Sequence, residues 1–66
     1  MTTTRFATRL KRLRANRKMS QAALAEKSGV SREYIARLEL CQQDPTLGTM
    51  HKLAKALKVT VGALVE

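Results

Sequence analysis

Tryptophan is absent from this chain, and Phe6 and Tyr34 are its only aromatic residues. A core must therefore be assembled from Leu, Ile, Val, Ala and Met, a set that suits helices and argues against a sheet. Cysteine occurs once, at Cys41. No internal disulfide can form, which fits a reducing cytoplasm. Histidine also occurs once, at His51, without the companions a metal site requires. No paired carboxylates, nucleophile triad or glycine-rich phosphate loop is visible, so neither an enzyme nor a cofactor is expected. No apolar run approaches the roughly 20 residues that span a bilayer, and the N-terminal segment has no continuous apolar stretch of the signal-peptide kind. Acids are scarce as well: five Asp and Glu stand against 13 Lys and Arg, giving a net charge of +8 and a pI near 10.7. Such a balance points to polyanionic partners, with nucleic acid ahead of an anionic membrane and an acidic protein. The 66 residues suffice for one domain. A domain of that size buries only about 60% of its unfolded surface, so its stability is expected to be marginal.

The stretch that organises the rest is Gln21 to Leu38, QAALAEKSGVSREYIARL. Ala22, Leu24 and Ala25 form one apolar set; Tyr34, Ile35 and Leu38 form another. Gly29 lies between them and can adopt the positive φ of a sharp inter-helix turn. Ala25 is small enough for close approach of a second helix, and Val30 is placed to fill the corner. Ser31 can cap the second helix through its side-chain oxygen. Ile35 and Leu38, three apart, face the first helix. Arg32, Glu33, Ala36 and Arg37 are left facing outward. A basic chain that presents a short helix with two free arginines has the makings of a DNA reader.

Around this pair the pattern predicts three further helices. Met1 to Thr4 reads as a polar arm, with Thr3 or Thr4 as cap. A first helix follows from about Arg5 to Asn16, with Phe6, Leu10 and Leu13 on one face. Its run of Arg5, Arg9, Lys11, Arg12, Arg14, Arg17 and Lys18 contains no acid. Ser20 is the expected cap of the second helix, Gln21 to about Ser28; the third runs from about Arg32 to Leu40. Cys41 to Pro45 is a loop, and Thr46 caps a fourth helix, Leu47 to Leu57. Leu47, Met50, Leu53, Ala54 and Leu57 make its apolar stripe, with Lys52, Lys55 and Lys58 largely off it. Thr60 caps a closing helix from Val61 to about Val65. There is no internal repeat, low-complexity segment or linker, so residues 1–66 read as one all-α domain of five helices.

Two segments, SQAALAEKSGVSREYIARLE and DPTLGTMHKLAKALKV, together with the closing hydrophobic turn, resemble the Cro/C1-type (XRE-like) helix-turn-helix domain of phage repressors and small bacterial regulators. The resemblance runs from about Phe6 to Val65, with the helix-turn-helix itself at about 21–40, and implies a lambda-repressor-like bundle. It implies that Arg32, Glu33 and Arg37 meet base edges in the major groove. The chemistry suits them: an Arg fork matches guanine O6 and N7, and a carboxylate can accept from cytosine N4. An i,i+4 pair between Glu33 and Arg37 that merely stabilises the helix is the alternative. By the same resemblance Gln21 clamps the DNA backbone at a helix N-terminus, where N–H groups and the helix dipole favour phosphate. Ser20, Ser31, Tyr34, Gln42, Gln43, Thr46 and Arg17 complete the expected backbone contacts. Arg14 and Glu39 resemble a pair tying the first helix to the end of the third. Cys41 stands where the family commonly has Gly, so a positive φ there would carry mild strain.

Domains of this kind bind as symmetric dimers across half-sites about 34 Å apart. Val59, Val61, Leu64 and Val65 are the expected dimer interface, with Leu47 or Met50 nearby; closing the monomer core is their alternative use. The resulting expectation is a cytoplasmic, nucleoid-associated homodimer that binds a palindromic operator on double-stranded DNA. A repressor or a restriction–modification controller fits that description. The competing expectation is an antitoxin-like interaction module that neutralises a toxin and represses its own operon. A protein partner, toxin or RNA polymerase, stays open at this point, and no membrane partner is expected.

Overall fold

A computed structural model describes residues 2–65, with side chains from residue 4 onward. Five helices follow in order: α1 (Thr2–Asn16), α2 (Gln21–Ser28), α3 (Arg32–Glu39), α4 (Leu47–Leu57) and α5 (Val61–Val65). No strand occurs among the described residues. The middle three helices and α5 keep the predicted bounds to within a residue. The N-terminal arm is a correction: Thr2 to Thr4 are already helical, so Thr4 lies inside α1 and does not cap it. Met1, and the side chain of Thr3, fall outside what is described.

The caps explain why the boundaries were readable. Ser20 accepts from the Ala23 N–H at 3.0 Å, Ser31 from the Tyr34 N–H at 3.1 Å and Thr46 from the Thr49 N–H at 3.1 Å. Thr60 accepts from the Ala63 N–H at 3.2 Å. Each hydroxyl satisfies one backbone donor that a helix start leaves without an internal partner. At the opposite ends the chain turns through left-handed residues. Gly29 does so at φ +77°, and Lys18, Cys41 and Lys58 do so at +56°, +62° and +59°. At Cys41 the closure is a Schellman motif: the Gln42 N–H reaches Arg37 O at 2.8 Å and the Cys41 N–H reaches Leu38 O at 3.2 Å. The helix end therefore keeps its form without glycine, at a strain of about 1 kcal/mol.

Seven side chains are fully buried: Leu10, Leu24, Ile35, Leu38, Leu53, Leu57 and Leu64. Each contributes about 1.5–3 kcal/mol by leaving water. Phe6, Ala7, Val30, Ala54 and Ala56 complete the centre, with Leu13, Met19, Ala25, Met50, Val59, Val61 and Val65 packed at its edge. Leu64, expected at a dimer interface, is thus used inside the protomer, and Val59, Val61 and Val65 are half-buried against the same core. Leu47 also departs from expectation. It opens α4, one turn ahead of the stripe formed by Met50, Leu53, Ala54 and Leu57, and overhangs the core at 63% exposure. Leu40, in the cap of α3, is exposed too.

Helix α2 is the hub for the site: it packs on α3 on one side and on α4 on the other, while α3 and α4 touch at most marginally. Helix α1 braces α3 and α5.

Candidate nucleic-acid interface

Helix α3 turns Ile35 and Leu38 inward and holds Arg32, Glu33 and Arg37 in solvent. Burial of one stripe thus fixes the rotation of the helix and decides which side chains are offered outward. Gly29 and Val30 set where the helix begins. Gly29 is in the left-handed region, with nothing within 4 Å of where a Cβ would sit. Backbone conformation, not space, is what makes glycine fit there. Arg37 donates to Glu33 Oε2 at 3.2 Å, so the i,i+4 pair does form in the free domain. Both partners are well exposed, and such a pair holds its geometry by only a few tenths of a kcal/mol.

A second arginine–glutamate pair lies behind the helix. Arg14 donates from Nε to Glu39 Oε2 at 2.7 Å and from NH2 to Oε1 at 3.0 Å. Its remaining NH1 group donates to Met19 O at 2.9 Å. Gln21 Nε2 adds a third donor to the carboxylate, on Oε1 at 3.0 Å. Glu39 is 5% exposed, and every buried side-chain nitrogen and oxygen among the described residues has a partner. Arg14 is held above its ordinary pKa, chiefly by the hydrogen bond to Glu39 and also by its charge, with burial opposing. The pairing with Glu39 was legible in the sequence. The bond from Gln21 was not: it links the N-terminus of α2 to the end of α3 and leaves one amide proton and the carbonyl of Gln21 for an outside ligand.

The remaining predicted positions fall into groups. Ser20, Ser31 and Thr46 spend their oxygens on caps but are exposed at three helix N-termini. Thr46 also donates to Thr49 Oγ1 at 2.9 Å. Tyr34 is half-buried, and its hydroxyl donates to Asp44 O at 3.2 Å, strapping the loop after α3 to the recognition side. Gln42 is exposed and Gln43 half-buried in that loop. Arg17 reaches elsewhere: its guanidinium lies 3.4 Å from Lys58 O, at the end of α4. Arg9, one of the cations of the first helix, donates to Ala63 O at 3.1 Å and secures α5. No signal in the sequence separates that structural arginine from its solvated neighbours.

A family model described as helix-turn-helix (HTH_3) matches residues 10–64. The chain belongs to the helix-turn-helix family. It is 42% identical over 57 residues to the immunity repressor protein of Bacillus phage phi105, covering 86% of this chain and 40% of that protein. It is 36% identical over 61 residues to the HTH-type transcriptional regulator SutR of Escherichia coli K12, covering 92% of this chain and 34% of that one. The chain thus spans well under half the length of these two regulators. Among solved structures, the restriction-modification controller protein C.AhdI from Aeromonas hydrophila superposes with a TM-score of 0.91 at 35% identity, covering 94% of each chain. As a domain, then, this helix-turn-helix is of the DNA-binding, transcriptional-regulator kind. Among the described residues no helix is long and apolar enough to cross a membrane.

Proposed function

We propose that this helix-turn-helix domain reads a palindromic operator in double-stranded DNA as a homodimer, through α3 in the major groove. The observation that carries the reading is the outward face of α3: Arg32, Glu33 and Arg37 stand in solvent on a helix whose other face is locked into the core. Arg32 and Arg37 take guanine O6 and N7, so each half-site contains at least one G. Glu33 accepts from cytosine N4 or holds Arg37 in place, and in either role it repels phosphate and sharpens selectivity.

Around that helix, Ser20, Gln21, Ser31 and Thr46 lie at helix N-termini, where free N–H groups favour phosphate. Gln42 and Gln43 offer neutral donors from the loop, and Tyr34 serves the phosphate grip by fixing that loop. Neutral donors release few counterions, so salt dependence from this edge is gentle. Arg17 is the weakest member of the set because its guanidinium is already turned to Lys58. For the dimer, Val59, Val61 and Val65 keep partly exposed apolar surface, with Leu47 mostly exposed and Leu64 supporting them from inside.

Likeness to a phage immunity repressor and to a restriction-modification controller supports a regulator of either type. Selection of bound duplexes from a randomised pool at roughly physiological salt tests the reading. A symmetric consensus with G in each half is the expected result. A flat pool retained only at low salt would overturn it and favour the antitoxin-like alternative, in which a toxin is the principal partner.

A further inference from the structure

A cleft of about 480 Å³ opens between the end of α2 and the second half of α4, lined by Lys27, Ser28, Lys52, Lys55, Ala56 and Lys58. Its origin is legible in residue spacing. Lys52 and Lys55, three residues apart, share one side of α4, and Lys58 follows in the left-handed cap that ends the helix. Lys27 comes from α2 opposite them. Ala56 is buried at the floor, and its short side chain leaves the space open. All four lysines are exposed, and no acid lines the cleft. Neither the Arg14–Glu39 nor the Arg37–Glu33 ion pair engages a cleft lysine. None of the residues lining the cleft belongs to α3.

We propose that this cleft is a second anion site, independent of the recognition helix, for a small ligand carrying clustered phosphate groups. Lysines at helix ends favour the negative pole of the helix dipole, and that effect alone would explain one lysine per helix end. It does not explain why Lys52 and Lys55 of α4 and Lys58 of its cap line one hollow together with Lys27 of α2. Four ammonium groups around one hollow repel each other until a multiply charged anion enters. The volume lies within the range of small-molecule sites, roughly 300–1,000 Å³. A folded acidic surface would meet the rim without reaching the floor. Lysine ammonium groups serve phosphate as mobile point charges, so several phosphates on one small scaffold match the arrangement.

Another basic hollow supplies the control. It is lined by Thr4, Arg5, Thr8, Arg9 and Arg12 along a single helix, and Arg9 is already committed to Ala63 O. The experiment is a titration of the ¹⁵N-labelled chain with sodium tripolyphosphate at constant ionic strength. Saturable shifts confined to Lys27, Ser28 and residues 52–58 are expected, with one ligand per chain. Lys27→Gln with Lys55→Gln should weaken binding about tenfold, since each lost contact is a charge-assisted one. Lys52→Gln with Lys58→Gln should do the same, so a folding defect in one pair cannot hide the result. Arg5→Gln with Arg12→Gln, and separately Arg32→Gln with Arg37→Gln, should change affinity by less than about twofold, as distant exposed sites do. Shifts spread along α1 and α3, an equal loss in the control variants, or equally tight binding of a poly-glutamate peptide would overturn the proposal.

Discussion

Two arginine–glutamate pairs among the described residues have opposite fates. Arg14 and Glu39 come from different helices, meet through two hydrogen bonds and receive a third from Gln21, with the carboxylate almost wholly buried. Arg37 and Glu33 lie one turn apart on α3, meet through one bond of 3.2 Å and remain in solvent. The ions are the same and the surroundings differ. In the first pair a dry setting makes each partner expensive to lose. In the second, water already solvates both ions, so releasing them to an outside ligand costs little. One pair is therefore fixed into architecture and the other is free for recognition, though α3 carries both members of the exposed pair and one of the buried pair.

Removing the buried acid should break this contrast most visibly. Glu39→Ala leaves Arg14 without its carboxylate and Gln21 without its acceptor. A loss of about 3 kcal/mol in unfolding free energy is expected, read from urea titrations. A loss below about 0.5 kcal/mol would mean that the buried pair behaves like a surface one. On the exposed side, Arg37→Ala should leave stability within about 0.5 kcal/mol of the parent. It should instead remove about 1–3 kcal/mol of discrimination at a single base position of the selected operator. Uniform weakening across all sequences would reassign Arg37 to phosphate contact.

The contrast also marks what could be read in advance. Capping hydroxyls at Ser20, Ser31, Thr46 and Thr60 and the turn at Gly29 are local signals, and each helix start they implied is present. Outward placement of Arg32, Glu33 and Arg37 followed from the inward stripe of Ile35 and Leu38. Leu64 takes the alternative use expected of its set and closes the core, while Leu47 shares the face of the α4 stripe yet stays exposed: periodicity says which residues share a face, not how far the core extends along it. The start of α1 was missed because three threonines carry no helix signal of their own. Gln21 on Glu39 and Arg9 on Ala63 are long-range hydrogen bonds, set by how helices dock and invisible to spacing.

Cys41 ends the helix that carries members of both pairs, so relaxing it sharpens the comparison. Cys41→Gly removes a Cβ from a residue at φ +62°. Stability should rise by up to about 0.5 kcal/mol, the strain of about 1 kcal/mol relieved less the backbone entropy that glycine adds to the unfolded chain. Gly29→Ala should act in the opposite direction and by more, about 1 kcal/mol, because alanine would be held at φ +77°. Differential scanning measurements on the two variants check the signs.

The smallest effect is the one that separates the two roles of Glu33. Glu33→Gln removes the charge of the exposed pair and should cost about 0.3–0.5 kcal/mol of stability at low salt, fading as salt is added. Its consequence for DNA is more informative than its size. If the carboxylate accepts from cytosine N4, Glu33→Gln relaxes one base position while the position read by Arg37 stays sharp. If it orients Arg37 instead, that position blurs, and a double-mutant cycle of Glu33→Gln with Arg37→Ala shows non-additive binding losses. In both cases affinity for unrelated duplexes should rise slightly, since a negative charge has been removed from beside the phosphates. Unchanged nonspecific affinity would instead mean that α3 is not where DNA lies.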